Sequence, residues 1–131
     1  MPSLAFKRLP DNPDAFAPDG TAVRLLNALA SGSFAHFELP AGATSHAVAH
    51  RTVEEIWYFV GGAGEVWRKL GAEESLVAVA PGDSLTIPLR THFQFRSTGA
   101  AALAFVAVTM PPWPGEHEAL AVEGLWPANL P

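Results

Sequence analysis

The 131 residues carry eight Lys and Arg against thirteen Asp and Glu, a formal net charge of -5, and no cysteine. With its cations scattered singly the chain lacks a basic stripe for nucleic acid, and the missing thiols exclude disulfides, thiolate metal ligands and cysteine nucleophiles. Hydrophobic residues make up 49% and charged residues 16%, which suits one compact domain with apolar surface to spare, and so a homodimer.

The first residues, MPSLAFKRLPDNPD, reach proline and acids before any apolar run of signal-peptide length. Residues 1–20 are therefore expected to form an extension of a cytoplasmic protein rather than a leader. The longest apolar run, Ala100–Met110, is about half the length of a bilayer-spanning helix, so no membrane partner is expected. Twelve prolines and eleven glycines leave hardly any window free for a long helix. Between these breakers the pattern predicts strands at Ala22–Leu29, Ser33–Leu39, Ser45–His50, Ile56–Val60, Glu65–Leu70, Ser75–Val79, Ser84–Ile87, His92–Arg96 and Leu103–Thr109. Ala22–Leu29 also suits a turn or two of helix, because Ala and Leu favour it. Turn signals at Pro40–Gly42, Gly61–Gly62, Pro81–Asp83 and Ser97–Gly99 recur at the spacing of an antiparallel sandwich or barrel spanning residues 21–110. Residues 111–131 hold five prolines with Trp113 and Trp126. This tail is expected to pack on the barrel or on a partner subunit, since exposed tryptophans are costly.

Chemistry concentrates in GATSHAVAHRTVEEIWYFVGG, Gly42 to Gly62, and PGDSLTIPLRTHFQF, Pro81 to Phe95. Alternation along a strand places His46, Val48 and His50 on one face, but His46 and His50 lie about 13 Å apart on a straight strand, too far to share an ion. Glu54 and Glu55 precede the apolar run IWYFV. One of them must turn inward, where an isolated charge has to be paired, metal-bound or protonated. In THFQF, Phe93 and Phe95 share one face and His92 and Gln94 the other. A slip of one residue would exchange them, so the register decides whether His92 reaches the interior. Val48, Trp57, Phe93, Phe95 and Gln94 are candidate pocket residues, while His36 and His117 are expected to be structural or solvated.

These two segments resemble the motifs of the cupin superfamily. Of the first motif, G-x5-H-x-H-x(3,4)-E-x6-G, Gly42, His50, Glu55 and Gly62 are in place and Val48 replaces the first histidine. Of the second, G-x5-P-x-G-x2-H-x3-N, Gly82 and Pro88 fit, Arg90 stands for the glycine, and the histidine position falls on Phe93, with His92 one place early. The resemblance implies an all-β fold, a single jelly-roll barrel of the double-stranded β-helix type. It also implies a site in which three histidines and a glutamate hold a divalent metal.

Two readings stay open. In one, a modified site of His50, Glu55, His92 and His46 binds Fe, Mn, Zn or Ni and serves an isomerase, epimerase or dioxygenase acting on a small polar metabolite. In the other, no metal is bound: His50 and Glu55 are the acid–base or hydrogen-bonding groups of a small-molecule pocket, catalytic or only binding. No organic cofactor is expected in either.

Overall fold

Short apolar runs interrupted by proline and glycine cannot sustain helices, and the computed structural model, which describes residues 4–131, is built of strands. In chain order they are β1 (Ala15–Phe16), β2 (Ala22–Leu29), β3 (Gly32–Leu39), β4 (Val48–His50), β5 (Glu54–Gly61), β6 (Gly64–Leu70), β7 (Glu73–Val79), β8 (Ser84–Ile87), β9 (His92–Ser97), β10 (Leu103–Met110) and β11 (Ala119–Ala121). A single 3-10 turn, Glu116–Glu118, precedes β11. Two antiparallel sheets face each other, one ordered β1-β2-β3-β10-β5-β8 and the other β11-β4-β9-β6-β7. This is the expected all-β jelly-roll sandwich.

Each of the nine expected strands forms, one of them shortened. Ala22–Leu29 takes the strand rather than the helical alternative: it pairs with β3 from Ala22↔Glu38 to Leu29↔Gly32, with a bulge between Leu25 and Ala28. The expected strand Ser45–His50 shrinks to Val48–His50 because its first residues bond elsewhere. Ser45 N–H donates to Phe95 O and His46 N–H to Asp19 O, both at 2.9 Å. The very short strands β1 and β11 carry no alternation long enough to signal them. β11 lies within the proline-rich tail and pairs with β4 through Ala119↔His50 and Ala121↔Val48.

Side-chain alternation builds the core. Along β5, Glu55, Trp57 and Phe59 point inward while Glu54, Ile56, Tyr58 and Val60 are exposed. Along β10, Leu103, Phe105, Ala107 and Thr109 face the same interior. The pairing Trp57↔Ala107 lets the Trp57 ring lie on Phe105, centroids 4.0 Å apart and nearly parallel. Phe37 stacks on the far side of that pair, 5.1 Å from Phe105. From the opposite sheet, Phe93 and Phe95 meet Trp57 edge-on at 5.5 and 5.2 Å. Such contacts add to the large apolar area these rings bury.

Two turns show why their residues were chosen. Gly62 has φ 73, and a Cβ there would sit 2.2 Å from Ala102 O, so only glycine closes the turn from β5 into β6. Arg90, at the place the family motif gives to glycine, is the one non-glycine among the described residues with positive φ, at 66. That conformation carries modest strain for a side chain. Thr91 N–H donates to Pro88 O at 3.1 Å and closes the turn into β9.

Gly62→Ala is expected to lower unfolding free energy by about 3 kcal/mol, combining left-handed strain with displacement of the Ala102 carbonyl. Urea denaturation of the variant beside the parent protein measures this, and an unchanged midpoint would contradict it.

Candidate functional site

The register of β5 delivers Glu55 to the interior, and β4 delivers His50 opposite it. His50 Nδ1 and Glu55 Oε2 are 3.8 Å apart, with both side chains about 5% exposed. That separation is too long for a hydrogen bond. Trp57 Nε1–H donates to Glu55 Oε1 at 2.7 Å, leaving Oε2 to face the imidazole. His50 Nδ1 is buried without a partner. The imidazole is packed edge-on between Phe93, at 5.2 Å, and Trp113 from the tail, at 5.0 Å.

Burial decides both protonation states. It raises the Glu55 carboxyl to about 7; the Trp57 hydrogen bond acts against the rise, and Asp19 and Glu118 add to it. Burial also lowers His50 to about 4, with Glu118 acting weakly the other way. At neutral pH the imidazole is therefore uncharged and the carboxyl is protonated in a large share of molecules. The two groups are not a resting ion pair.

They sit in a cavity of about 550 Å³ between the sheets. Its walls include Val23, Phe37, Val48, Trp57, Phe93, Phe105 and Trp113, with Phe16, Leu25 and Phe34 at the mouth. Ser33 and Thr109 also line it, but their hydroxyls bond each other, and Ser33 Oγ accepts from Trp113 N–H at 3.0 Å. Asp19 lines the wall as well. Burial raises its carboxyl, which accepts from Thr21 Oγ1 at 2.6 Å and Thr21 N–H at 3.1 Å. Behind His50, Glu118 accepts from the amides of Thr52, at 2.6 Å, and Val53, at 3.0 Å, and from Thr52 Oγ1 at 2.5 Å. Burial would raise Glu118, yet these bonds win and hold it below its ordinary value. Asp19, Glu118 and Trp113 escaped the sequence reading, because their segments, outside both motifs, meet the site only through tertiary packing.

Of the candidate residues, His50, Glu55, Val48, Trp57 and Phe93 come together around the cavity. The others do not. His92 lies on the outer face of β9 opposite Lys69, while Phe93 and Phe95 fill the interior, since the phenyl rings bury more apolar surface than His92 and Gln94 could. Phe95 is wholly buried core and does not line the cavity. Gln94 is buried under the tail: its Nε2 donates to Ser45 O and Trp126 O, both at 2.8 Å, and its Oε1 accepts from the amides of Leu125 and Trp126, at 2.9 and 3.0 Å. His46 also points away, its Nε2 lying 3.1 Å from Pro131 O, because the break before Val48 interrupts the alternation. His36 lies buried on the outer side of β3, and His117 is exposed.

The donor set does not fit a divalent ion. The two motif positions that would add imidazoles hold Val48 and Phe93, paired directly across β4 and β9. Among the described residues no group of three or more His, Cys, Asp or Glu comes together in a metal-holding arrangement. His50 and Glu55 alone fall short of the three or four protein ligands of stable sites.

The two titrations oppose each other. Glu55, raised in the fold, weakens stability as pH climbs from its unfolded value near 4.5 to about 7. His50, lowered in the fold, contributes stability above its unfolded value near 6.5, which is lost as pH falls toward 4. In the parent protein the slopes largely cancel. His50→Ala is expected to lose up to about 3 kcal/mol between pH 4.5 and 7, and Glu55→Gln to gain a similar amount over nearly the same range. Urea midpoints across that range test this, and equal slopes in both variants would contradict it.

The family model described as Cupin domain matches residues 35–109, more than half of the chain. No curated protein matches the sequence significantly. Solved structures with the same fold include a Bacillus halodurans protein at 18% identity and TM-score 0.64, covering 72% of this chain and 73% of its own. Bacillus subtilis oxalate decarboxylase, described with Mn(II) centres, is 14% identical with TM-score 0.70; 86% of this chain overlies only 30% of that protein. The Schizosaccharomyces pombe Cnp3 cupin domain is 16% identical with TM-score 0.59, covering 70% of this chain and 64% of its own. By its motif glycines, its paired sheets and the family match across both, this chain belongs to the cupin superfamily.

Proposed function

We propose that this cupin binds a small molecule between its sheets and shifts a proton on it without a metal, His50 serving as base and Glu55 as acid. The observation that carries the reading is the His50 ring and the Glu55 carboxyl side by side on the wall of a cavity of ligand size, His50 Nδ1 lying 3.8 Å from Glu55 Oε2. An uncharged imidazole is ready to accept a proton and a protonated carboxyl to donate one. Both are available near neutral pH because burial has moved the two groups in opposite directions.

The step balances within the substrate. His50 takes the proton from a carbon beside a carbonyl, the C–H electron pair becomes the C=C bond of an enol, and the carbonyl oxygen receives the Glu55 proton. In a β,γ-unsaturated carbonyl compound the product is a dienol, and return of the His50 proton to its γ-carbon, with the enol proton going back to Glu55, completes a double-bond isomerisation that needs no oxidant. Charge develops as imidazolium and carboxylate side by side, and the Trp57 N–H already placed on Glu55 Oε1 stabilises the anion.

A second reading, a binding module without turnover, is favoured by the depression of His50 itself, since a ring that resists protonation is a weak base. We carry cytoplasmic residence and a homodimer as parts of the proposal. No helix among the described residues is long and apolar enough to cross a membrane. The exposed row Ile56, Tyr58 and Val60 on β5 supports self-association. Ile56→Lys is expected to turn a dimer into a monomer by light scattering, and a parent protein that is already monomeric would remove that part.

The catalytic reading is tested in deuterated buffer with a panel of enolisable ketones and aldehydes, polar and apolar, following loss of the α-proton signal by NMR. Protein-dependent exchange is expected with at least one member, unchanged after exhaustive chelation and reduced at least 100-fold in His50→Ala. Exchange that His50→Ala leaves intact, or that chelation abolishes, would sink it. Binding without any exchange would leave the second reading in its place.

A further inference from the structure

From the walls of the cavity we infer that its ligand is an uncharged, predominantly apolar carbonyl compound rather than a sugar, a polyol or an organic acid. This rests on the cavity identified above as the functional site and adds the class of molecule it accepts.

The inner surface offers very few polar atoms. The hydroxyls of Ser33 and Thr109 are spent on each other and on the tail, and Oδ1 of Asp19 is spent on Thr21. Trp57 N–H is taken by Glu55. What remains for a ligand is little: Glu55 Oε2 beside the His50 ring, and the second carboxyl oxygen of Asp19. A ligand with one oxygen can be satisfied there. A polyol could not pair its other hydroxyls, and each unpaired buried hydroxyl costs roughly 1–3 kcal/mol.

Charge points the same way. The charged side chains reaching the cavity are Asp19, Glu55 and Glu116, against Lys7 alone. Among the described residues no arginine faces it to receive a carboxylate or phosphate, so a bound anion would be desolvated among acids. For a cation the buried acids are poor partners, because burial raises the Glu55 and Asp19 carboxyls and favours their uncharged forms, and Glu116 lies at the outer edge. The remaining wall is aromatic and aliphatic, and this character continues outward: Phe16, Leu25 and Phe34 at the mouth are 74%, 50% and 40% exposed. An apolar ligand would cover that rim as well as fill the interior.

Isothermal titration of the full chain with four molecules on one frame tests the class: 2-acetylnaphthalene, 2-ethylnaphthalene, 2-naphthoate and 2-naphthylmethylamine, with glucose as a polyol control. The ketone is expected to bind best, the hydrocarbon about tenfold more weakly, the acid and the amine at least tenfold more weakly, and glucose not at all. Two variants place the ligand. Ala35→Phe fills the cavity wall, and Ala28→Trp narrows the exposed mouth, where folding is not at risk. Each should weaken the ketone at least tenfold. Tighter binding of the acid, the amine or glucose, absence of binding by the ketone, or ketone binding that both variants leave unchanged would overturn the inference. Ketone selectivity without proton exchange supports the ligand class while removing the catalytic reading, so the two can fail separately.

Discussion

Stacking of Trp57 on Phe105 is the contact from which the site follows. The Trp57 ring can lie on Phe105 only if β5 and β10 pair in one register, and alternation from Trp57 then sends Glu55 inward and Glu54 out. The indole also supplies the N–H that fixes the Glu55 carboxyl. One aromatic side chain thus sets strand register, chooses which of two adjacent acids is buried, and orients the chosen one. On the facing sheet Phe93 does the corresponding work, by taking the interior place and bracing the His50 ring.

His50 and Glu55 stand together where a metal site would need more donors. With Val48 and Phe93 standing where the motif places imidazoles, burial is the largest influence on His50 and Glu55, and it favours the neutral form of each. A neutral couple in an apolar cavity interacts weakly with itself at rest and strongly once a proton has moved, the differential on which the proposed proton transfer would draw.

Much of this was legible in the sequence. Breaker spacing and alternation predicted the nine main strands, and the two motifs predicted the family, because periodicity and turn residues act locally. The choice between Glu54 and Glu55, and between His92 and Phe93, was not legible: each pair lies in a stretch apolar on both faces or balanced between them, and only pairing with a distant strand breaks the tie. His46 misled for a related reason. Strict alternation assumed an unbroken strand from Ser45, whereas His46 N–H is drawn to Asp19 O. Asp19, Trp113 and Glu118 lay beyond reach because residues 17–20 and 111–119 meet the site only in three dimensions. The lining of the cavity was not legible either, for it comes from β2, β3 and the tail as much as from the motif strands.

The four hydrogen bonds of Gln94 bear on how the chain comes apart. Gly124 passes so close that a Cβ there would lie 2.4 Å from Gln94 Oε1, and the amides of Leu125 and Trp126 end on that same oxygen. A segment without strand structure is thereby tied into the ladder of β9, and opening it would strand a buried amide side chain. The tail therefore belongs to the same cooperative unit as the barrel, and its amides should exchange with solvent on the timescale of global opening rather than of a loose end.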